Sequence, residues 1–297
     1  MVKRTLFFGN PVYLSTQNEQ LLVSYPDKKI DHKTVPIEDV GFVILEHAQI
    51  TITNKLLEKL CANNVAVINC NGQHMPIGML LPFAGHTEQN ERVRHQLEAS
   101  LPLKKQLWQQ TVQAKINNQA KLLSLQGVDT QNMTYWANAV ASGDSLNHEA
   151  RAAAYYWKHL FNINNFTRGR KDDAPNNLLN YGYAILRAVC ARAIVGSGLL
   201  PVLGIHHANK YNPYCLVDDI MEPYRPYVDK VVVDLVNSHD KIDELTIALK
   251  QELLKIPAVN VVIDGNKSPL MIAMSRTTFS LYECYAGVSR KILYPKF

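Results

Sequence analysis

The chain has 297 residues, 47% of them hydrophobic and 19% charged, a globular balance that excludes a disordered chain, a collagen and a coiled-coil rod. That length suits two domains and buries a core without needing disulfides or metal merely to fold. The formal charge of +5, from 31 basic and 26 acidic residues, permits a polyanionic partner without demanding one.

The five cysteines, Cys61, Cys70, Cys190, Cys215 and Cys284, are odd in number and widely spaced, with no CxxC pair. This argues against a disulfide framework or a cysteine zinc site and for a reducing cytoplasm. Leu6-Phe7-Phe8 ends at once in Gly9-Asn10-Pro11, too short for the apolar core of a signal peptide. The longest apolar zone, Ala184 to Ile205, contains Arg187, Arg192 and Pro201 and would bury two arginines in a bilayer. The expectation is a soluble, cytoplasmic protein with no membrane partner.

In chain order, Thr5–Phe8, Val12–Leu14, Leu21–Ser24, Thr34–Ile37, Gly41–Leu45 and Ile50–Thr53 read as short strands broken by turn residues. Asn54 is placed to cap a helix through Leu56, Leu57 and Leu60 to Cys61. Val65–Ile68 and Met75–Leu81 complete a small β-rich domain over residues 1–85. The composition then turns polar, and residues 86–105 suit a linker or linking helix. Trp108, Val112, Ile116, Ala120 and Leu123 recur every three to four residues, which predicts a long amphipathic helix. Glu149–Phe161, Asn177–Val195, Asp240–Leu254 and Met274–Val288 follow as helices, with strands at Val231–Val233 and Val259–Asp264. The fold class expected is α+β, with a small β-rich N-terminal domain before a larger, mostly helical catalytic domain over 106–297.

No P-loop, G-x-G-x-x-G, G-x-S-x-G or H-E-x-x-H occurs, which removes most nucleotide-driven and common hydrolase chemistry. Three segments stand out. Asn147-His148-Glu149-Ala150-Arg151-Ala152-Ala153 begins a strong helix with a carboxylate in its first turn, where the macrodipole alone would favour it. Gly204-Ile205-His206-His207 follows an apolar run and ends in two imidazoles, potential metal ligands or members of a solvated loop. Asp218-Asp219-Ile220-Met221-Glu222 sets carboxylates in an apolar stretch, as an N-cap or beside a partner or metal. Adjacent helical side chains diverge by about 100°, so at most one of each tandem pair should serve one site. Glu, His and Asp together form a mixed oxygen and nitrogen donor set suited to Mn²⁺ and tolerant of Mg²⁺.

These segments resemble a known family. Arg4-Thr5-Leu6-Phe7-Phe8-Gly9-Asn10-Pro11, Ile50-Thr51-Ile52-Thr53-Asn54, Leu179-Asn180-Tyr181-Gly182-Tyr183 and Asp219-Ile220-Met221-Glu222-Pro223-Tyr224-Arg225-Pro226 look like the CRISPR-associated adaptation integrases, the spacer-inserting endonuclease family, in the variant found with type II systems. The resemblance implies a prokaryotic protein with a metal site of Glu149, His207 and Asp219 holding Mg²⁺ or Mn²⁺, with His206 the near alternative to His207. It further implies insertion of short DNA fragments into a CRISPR array by 3′-hydroxyl transesterification. The implied partners are double-stranded DNA (fragment and repeat), a second copy paired through the β-rich domain, and a small ferredoxin-like adaptation subunit.

DNA backbone contact requires Lys and Arg. Arg168, Arg170 and Lys171, in the densest basic cluster downstream of Glu149, and Arg225 are the candidates, against the plainer reading of a solvated loop. The competing functional readings are a non-catalytic DNA-binding scaffold and a small-molecule metal hydrolase.

Overall fold

The computed structural model describes residues 3–27, 29–163, 166–169, 173–239 and 241–297. The chain divides into two compact units, Met1–Gly85 and His86–Phe297, and its class is α+β.

The first unit contains β1 (Arg4–Phe8), β2 (Val12–Gln17), β3 (Gln20–Ser24), β4 (Lys33–Pro36), β5 (Val40–Leu45), β6 (Ile50–Ile52), α1 (Asn54–Ala62), β7 (Ala66–Cys70) and β8 (Pro76–Leu80). Two four-stranded sheets form, in the orders β1-β5-β7-β8 and β4-β3-β2-β6. Asn18 and Glu19, both with positive φ, make the tight turn whose twist matches the β2–β3 hairpin. Alternation along that hairpin turns Val12, Leu14, Leu21 and Val23 inward to a core shared with Val40, Val43, Leu56 and Leu60. Each such side chain contributes about 1.5–3 kcal/mol when fully buried. Thr53, rather than Asn54, is the N-cap of α1, its hydroxyl accepting from Leu56 N at 3.4 Å.

The second unit contains α2 (Gln89–Glu98), α3 (Leu101–Leu125), α4 (Gln131–Ala139), α5 (His148–Leu160), α6 (Asn176–Gly196), α7 (Cys215–Met221), α8 (Arg225–Ser238), α9 (Ile247–Leu253), the hairpin β9 (Asn260–Ile263) and β10 (Asn266–Pro269), and α10 (Leu270–Tyr285). Residues 86–105 carry α2 and the first turn of α3. The stripe through Trp108, Val112, Ile116 and Leu123 is buried, and α3 packs against α4, α5, α8 and the 3₁₀ turn Glu222–Tyr224. Helix α6 meets the length and apolarity of a bilayer span, but 78% of that window is buried inside the protein. It is the central helix of this unit, packed against α7, α8, α9 and α10.

Several expectations are corrected. Val231–Val233, expected as a strand, lies within α8. Val228, Val232 and Leu235 are its buried face, a helical period that overrides the modest penalty on β-branched residues. Of Asp240–Leu254 only Ile247–Leu253 is helical. There Thr246 caps the helix by accepting from Leu249 N at 3.3 Å, and Asp240 lies outside the described residues. Helix α4 was not expected. Asp218 and Asp219 are not N-caps, because α7 begins at Cys215 and carries both in its interior.

Candidate active site

Asp219 is fully buried in α7. The chain after α6 loops back over it, so that Ile205 N and His206 N donate to Oδ2 at 2.7 and 2.9 Å and His207 N donates to Oδ1 at 3.3 Å. A buried carboxylate needs such donors, and here the backbone provides them. The loop closes this tightly because residue 204 is glycine. A Cβ there would lie 2.2 Å from the His207 carbonyl oxygen and 2.9 Å from Asp219 Oδ2.

His207 Nδ1 lies 2.5 Å from Asp219 Oδ1, presenting a nitrogen and an oxygen at one point. This hydrogen bond raises the His207 pKa above its ordinary value. Burial opposes the rise, and the charges of Asp219, Glu222 and Glu149 reinforce it. The neighbouring imidazole goes elsewhere. His206 stacks on buried Trp108 of α3, with centroids 4.3 Å apart and planes within 4°, while His207 meets the same indole edge-on at 5.7 Å. Asp218 also diverges from its neighbour, accepting from Arg187 Nε and Nη2 at 3.0 and 2.7 Å and from Asn212 Nδ2 at 2.7 Å.

Glu149 arrives from α5. Asp144 fixes the start of that helix by accepting from His148 N at 2.9 Å and Glu149 N at 3.0 Å. The Glu149 carboxylate pairs with Lys115 Nζ of α3 at 2.6 Å, and the same ammonium lies 2.6 Å from Glu222 Oε2. Arg225 Nε is 2.9 Å from the other oxygen, Glu222 Oε1. Glu222 Oε2 has no well-directed hydrogen-bond donor, so its contact with Lys115 is an ion pair off the bonding direction. Burial works against the charge on Lys115, but Glu222 and Glu149 outweigh it and raise its pKa. Burial likewise opposes ionisation of Glu222, yet Arg225 and Lys115 hold it below the usual carboxylate range.

Asp219 and His207 are thus brought together, and Glu149 is joined to Glu222 through an ammonium. Among the described residues, no three His, Cys, Asp or Glu side chains form a ready metal cluster. The donor chemistry nevertheless fits a divalent cation. Two carboxylates, Glu149 and Glu222, face two cations, Lys115 and Arg225, while Asp219 presents an oxygen beside the His207 nitrogen. The charges of Asp219, Glu222 and Glu149 favour positive charge at His207, the place a metal ion would compete for.

The basic candidates are placed differently. Arg168 donates to the Gly169 carbonyl, to Asn176 Oδ1 at 3.0 Å and to Asn180 Oδ1 at 2.8 Å. Its guanidinium also lies over the rings of Trp157 and Tyr183. Arg225 likewise has an internal partner in Glu222. Arg170 and Lys171 lie outside the described residues. Sequence reasoning missed Lys115, Asp144 and Trp108 in the site, and quoted Glu222 without assigning it. Glu222 had a signal, a third carboxylate in an apolar stretch; Lys115, on an otherwise ordinary amphipathic helix, had none.

The chain is similar to known proteins over most of its length. The family model described as CRISPR associated protein Cas1 matches residues 6–256. A CRISPR-associated endonuclease Cas1 of Neisseria meningitidis serogroup C (strain 8013) is 38% identical over 293 residues, covering 98% of this chain and 94% of the relative. A second relative so named, from Pyrobaculum aerophilum, is 29% identical over 259 residues, 83% of this chain and 88% of its own. Among solved structures, a casposase bound to integration product superposes with a TM-score of 0.78 at 19% identity, covering 98% of this chain and 92% of that one. A CAS1 protein from Thermotoga maritima gives 0.76 at 16% identity, covering 99% and 100%.

Proposed function

Because this chain belongs to the CRISPR-associated protein Cas1 family, we propose that it is a metal-dependent DNA integrase and endonuclease that inserts short DNA fragments as new spacers into a CRISPR array. The observation that carries this reading is the convergence of Asp219 and His207, 2.5 Å apart, with Glu149 and Glu222 drawn onto Lys115. A DNA-binding scaffold has no need of such a cluster, and family membership argues against a small-molecule hydrolase.

Glu149, His207 and Asp219 would hold Mg²⁺ or Mn²⁺, which supplies charge stabilisation at the phosphoryl oxygens during transfer. The chain's own groups orient that site. Asp219, held in place by three backbone donors, fixes the His207 ring. Lys115 keeps two glutamates facing the same space, and Arg225 holds the second from behind. The 3′-hydroxyl of a fragment attacks a phosphodiester at the repeat boundary; one P–O bond forms, one breaks, and another 3′-hydroxyl leaves. The number of phosphodiesters is unchanged, so no nucleotide energy source is required, in keeping with the absence of a P-loop. Water as attacking group makes the same site a nuclease.

The partners proposed are double-stranded DNA, a second copy of the chain meeting through the β-rich unit, and a small ferredoxin-like subunit. A solved complex titled Cas6-RT-Cas1–Cas2, with TM-score 0.75, supports assembly with a further CRISPR protein. The cytoplasm, without membrane attachment, is the proposed location. The test incubates the protein and its partner subunit with a labelled fragment and a supercoiled repeat plasmid. Joined product with Mn²⁺ or Mg²⁺ and none with EDTA is expected; equal joining in EDTA overturns the metal mechanism.

A further inference from the structure

A second basic feature lies in the helical unit, away from the cluster around Lys115. A solvent-open cavity of about 490 Å³ is walled on one side by α3, through Gln113, Asn117 and Lys121, and on the other by the segment 290–297, through Lys291, Tyr294 and Lys296. That volume falls in the range of small-ligand sites. Successive residues turn by about 100°, so Gln113, Asn117 and Lys121 occupy the flank of α3 roughly opposite Lys115.

The cavity is a built feature. Gln110 bonds both ways to the segment, donating to the Arg290 carbonyl and accepting from Ile292 N, each at 2.9 Å. Two turns on, buried Asn118 donates to the Pro295 carbonyl at 3.0 Å and accepts from Phe297 N at 3.2 Å. Lys296 N donates to the Val262 carbonyl at 2.8 Å, and Tyr294 and Thr111 share a hydroxyl bond of 2.8 Å. The two α3 amides clamp the segment at each end and leave an open space between. The Asn118 amide also donates to the Pro223 carbonyl at 2.8 Å, beside Glu222. The wall of the cavity is therefore tied to the site.

Three exposed ammonium groups, Lys121, Lys291 and Lys296, stand around this space, and no Asp or Glu side chain lines it. None of the three lysines makes an ion pair among the described residues, and the amides of Gln113 and Asn117 bond to no other side chain or backbone group there. Unmatched positive charge beside unused amide donors is the chemistry that receives phosphodiesters.

We propose that this cavity is a second DNA contact, in which Lys121, Lys291 and Lys296 neutralise phosphates of a strand whose reacting phosphodiester lies at the Glu149, His207 and Asp219 site. The inference rests on the DNA-integrase reading and adds to it a binding surface remote from the catalytic cluster. Opposite flanks of α3 lie one helix diameter apart, about 10–12 Å, short against one duplex turn of about 34 Å, so contact at both requires a strand that passes around the edge of α3 from one flank to the other.

The test is fluorescence anisotropy of a labelled duplex with single-stranded ends, over a salt series, for the parent and for the triple variant Lys121→Gln, Lys291→Gln and Lys296→Gln. Thermal melting confirms that the variant is folded. The salt slope should fall by about 2 units if the contacted segment is single-stranded and nearly 3 if it is duplex. DNA binding by the parent with an unchanged slope in the variant overturns the cavity proposal alone. No DNA binding by the parent overturns the functional reading and the cavity proposal with it. Equilibrium dialysis with thymidine 5′-monophosphate separates the other source of the same chemistry. Nucleotide binding lost in the variant while the DNA slope is unchanged assigns the cavity to free nucleotides and overturns the strand contact.

Discussion

Glu149 and Tyr156 lie seven residues apart on α5, two turns along the same face, so the anchor at Tyr156 fixes the rotation of the helix that presents Glu149. That anchor is the buried carboxylate of Asp229 in α8, which accepts from Tyr156 at 2.7 Å and also from the Tyr183 hydroxyl. From Asp229 the path returns along α8 to Arg225, Glu222 and Lys115 and closes on Glu149. Two helices and six side chains thus form a closed ring.

Asp229 gives this ring a pH signature. Burial pushes its carboxyl up from 3.8 to about 6, against the hydrogen bonds from Tyr183 and Tyr156. The folded state therefore binds a proton at pH values where the unfolded chain has lost it. The associated stability is present in full below pH 3.8 and is lost as pH rises through about 6. The loss amounts to about 3 kcal/mol. Asp229→Asn removes this titration, so urea-unfolding free energies of the parent minus those of the variant should decline between pH 4 and 6.5. A constant difference across that range shows that Asp229 does not titrate there.

Glu149→Gln keeps the shape of the side chain and removes its charge. Strand joining should fall by at least about 100-fold, since loss even of groups behind metal ligands costs 10–100-fold. DNA affinity should change little, because phosphate contacts by Lys and Arg supply most of it. Joining assays and anisotropy on one preparation separate the two effects; joining at the parental rate sinks the assigned role.

Lys115→Met leaves Glu149 and Glu222 facing each other without their shared ammonium. Breaking one partner out of a buried pair costs about 3 kcal/mol or more, read as a lower melting temperature in EDTA. Added Mn²⁺ should then raise the melting point of the variant more than that of the parent, because the glutamates have lost their competing cation. Equal melting points in EDTA would show that the ammonium does not couple them.

Gly204→Ala tests the loop over Asp219. The new Cβ meets the His207 carbonyl oxygen at 2.2 Å, a clash that only movement of the loop relieves. Overpacking of this kind costs about 1–3 kcal/mol. An ångström of displacement at His207 lowers turnover by about 100-fold. Denaturation and joining assays report the two effects; parental joining by a folded variant refutes the requirement for glycine.

The sequence by itself determined what depends on near neighbours along the chain. The β-rich runs Val12–Leu14 and Leu21–Ser24 marked two strands, and the recurrence from Trp108 to Leu123 marked the long helix, because each pattern lies within one element. The segments holding Glu149, His207 and Asp219 were also legible, since carboxylates and imidazoles in apolar surroundings are conspicuous without a partner in view. Only the tertiary structure decided which members of the two tandem pairs meet, His207 and Asp219. His206 against His207 turns on Trp108, 98 residues before His206 in sequence, and Asp218 against Asp219 turns on Arg187 and a loop that folds back. Lys115 was invisible for the same reason: its role exists only where α3 crosses α5 and the turn after α7. Arg168 looked like a free surface charge until Asn176, Asn180 and two aromatic rings closed around it. Local periodicity is set by bond geometry, whereas charge pairing is set by which helix faces meet, and for Lys115 that is the packing of α3 against α5 and the turn Glu222–Tyr224.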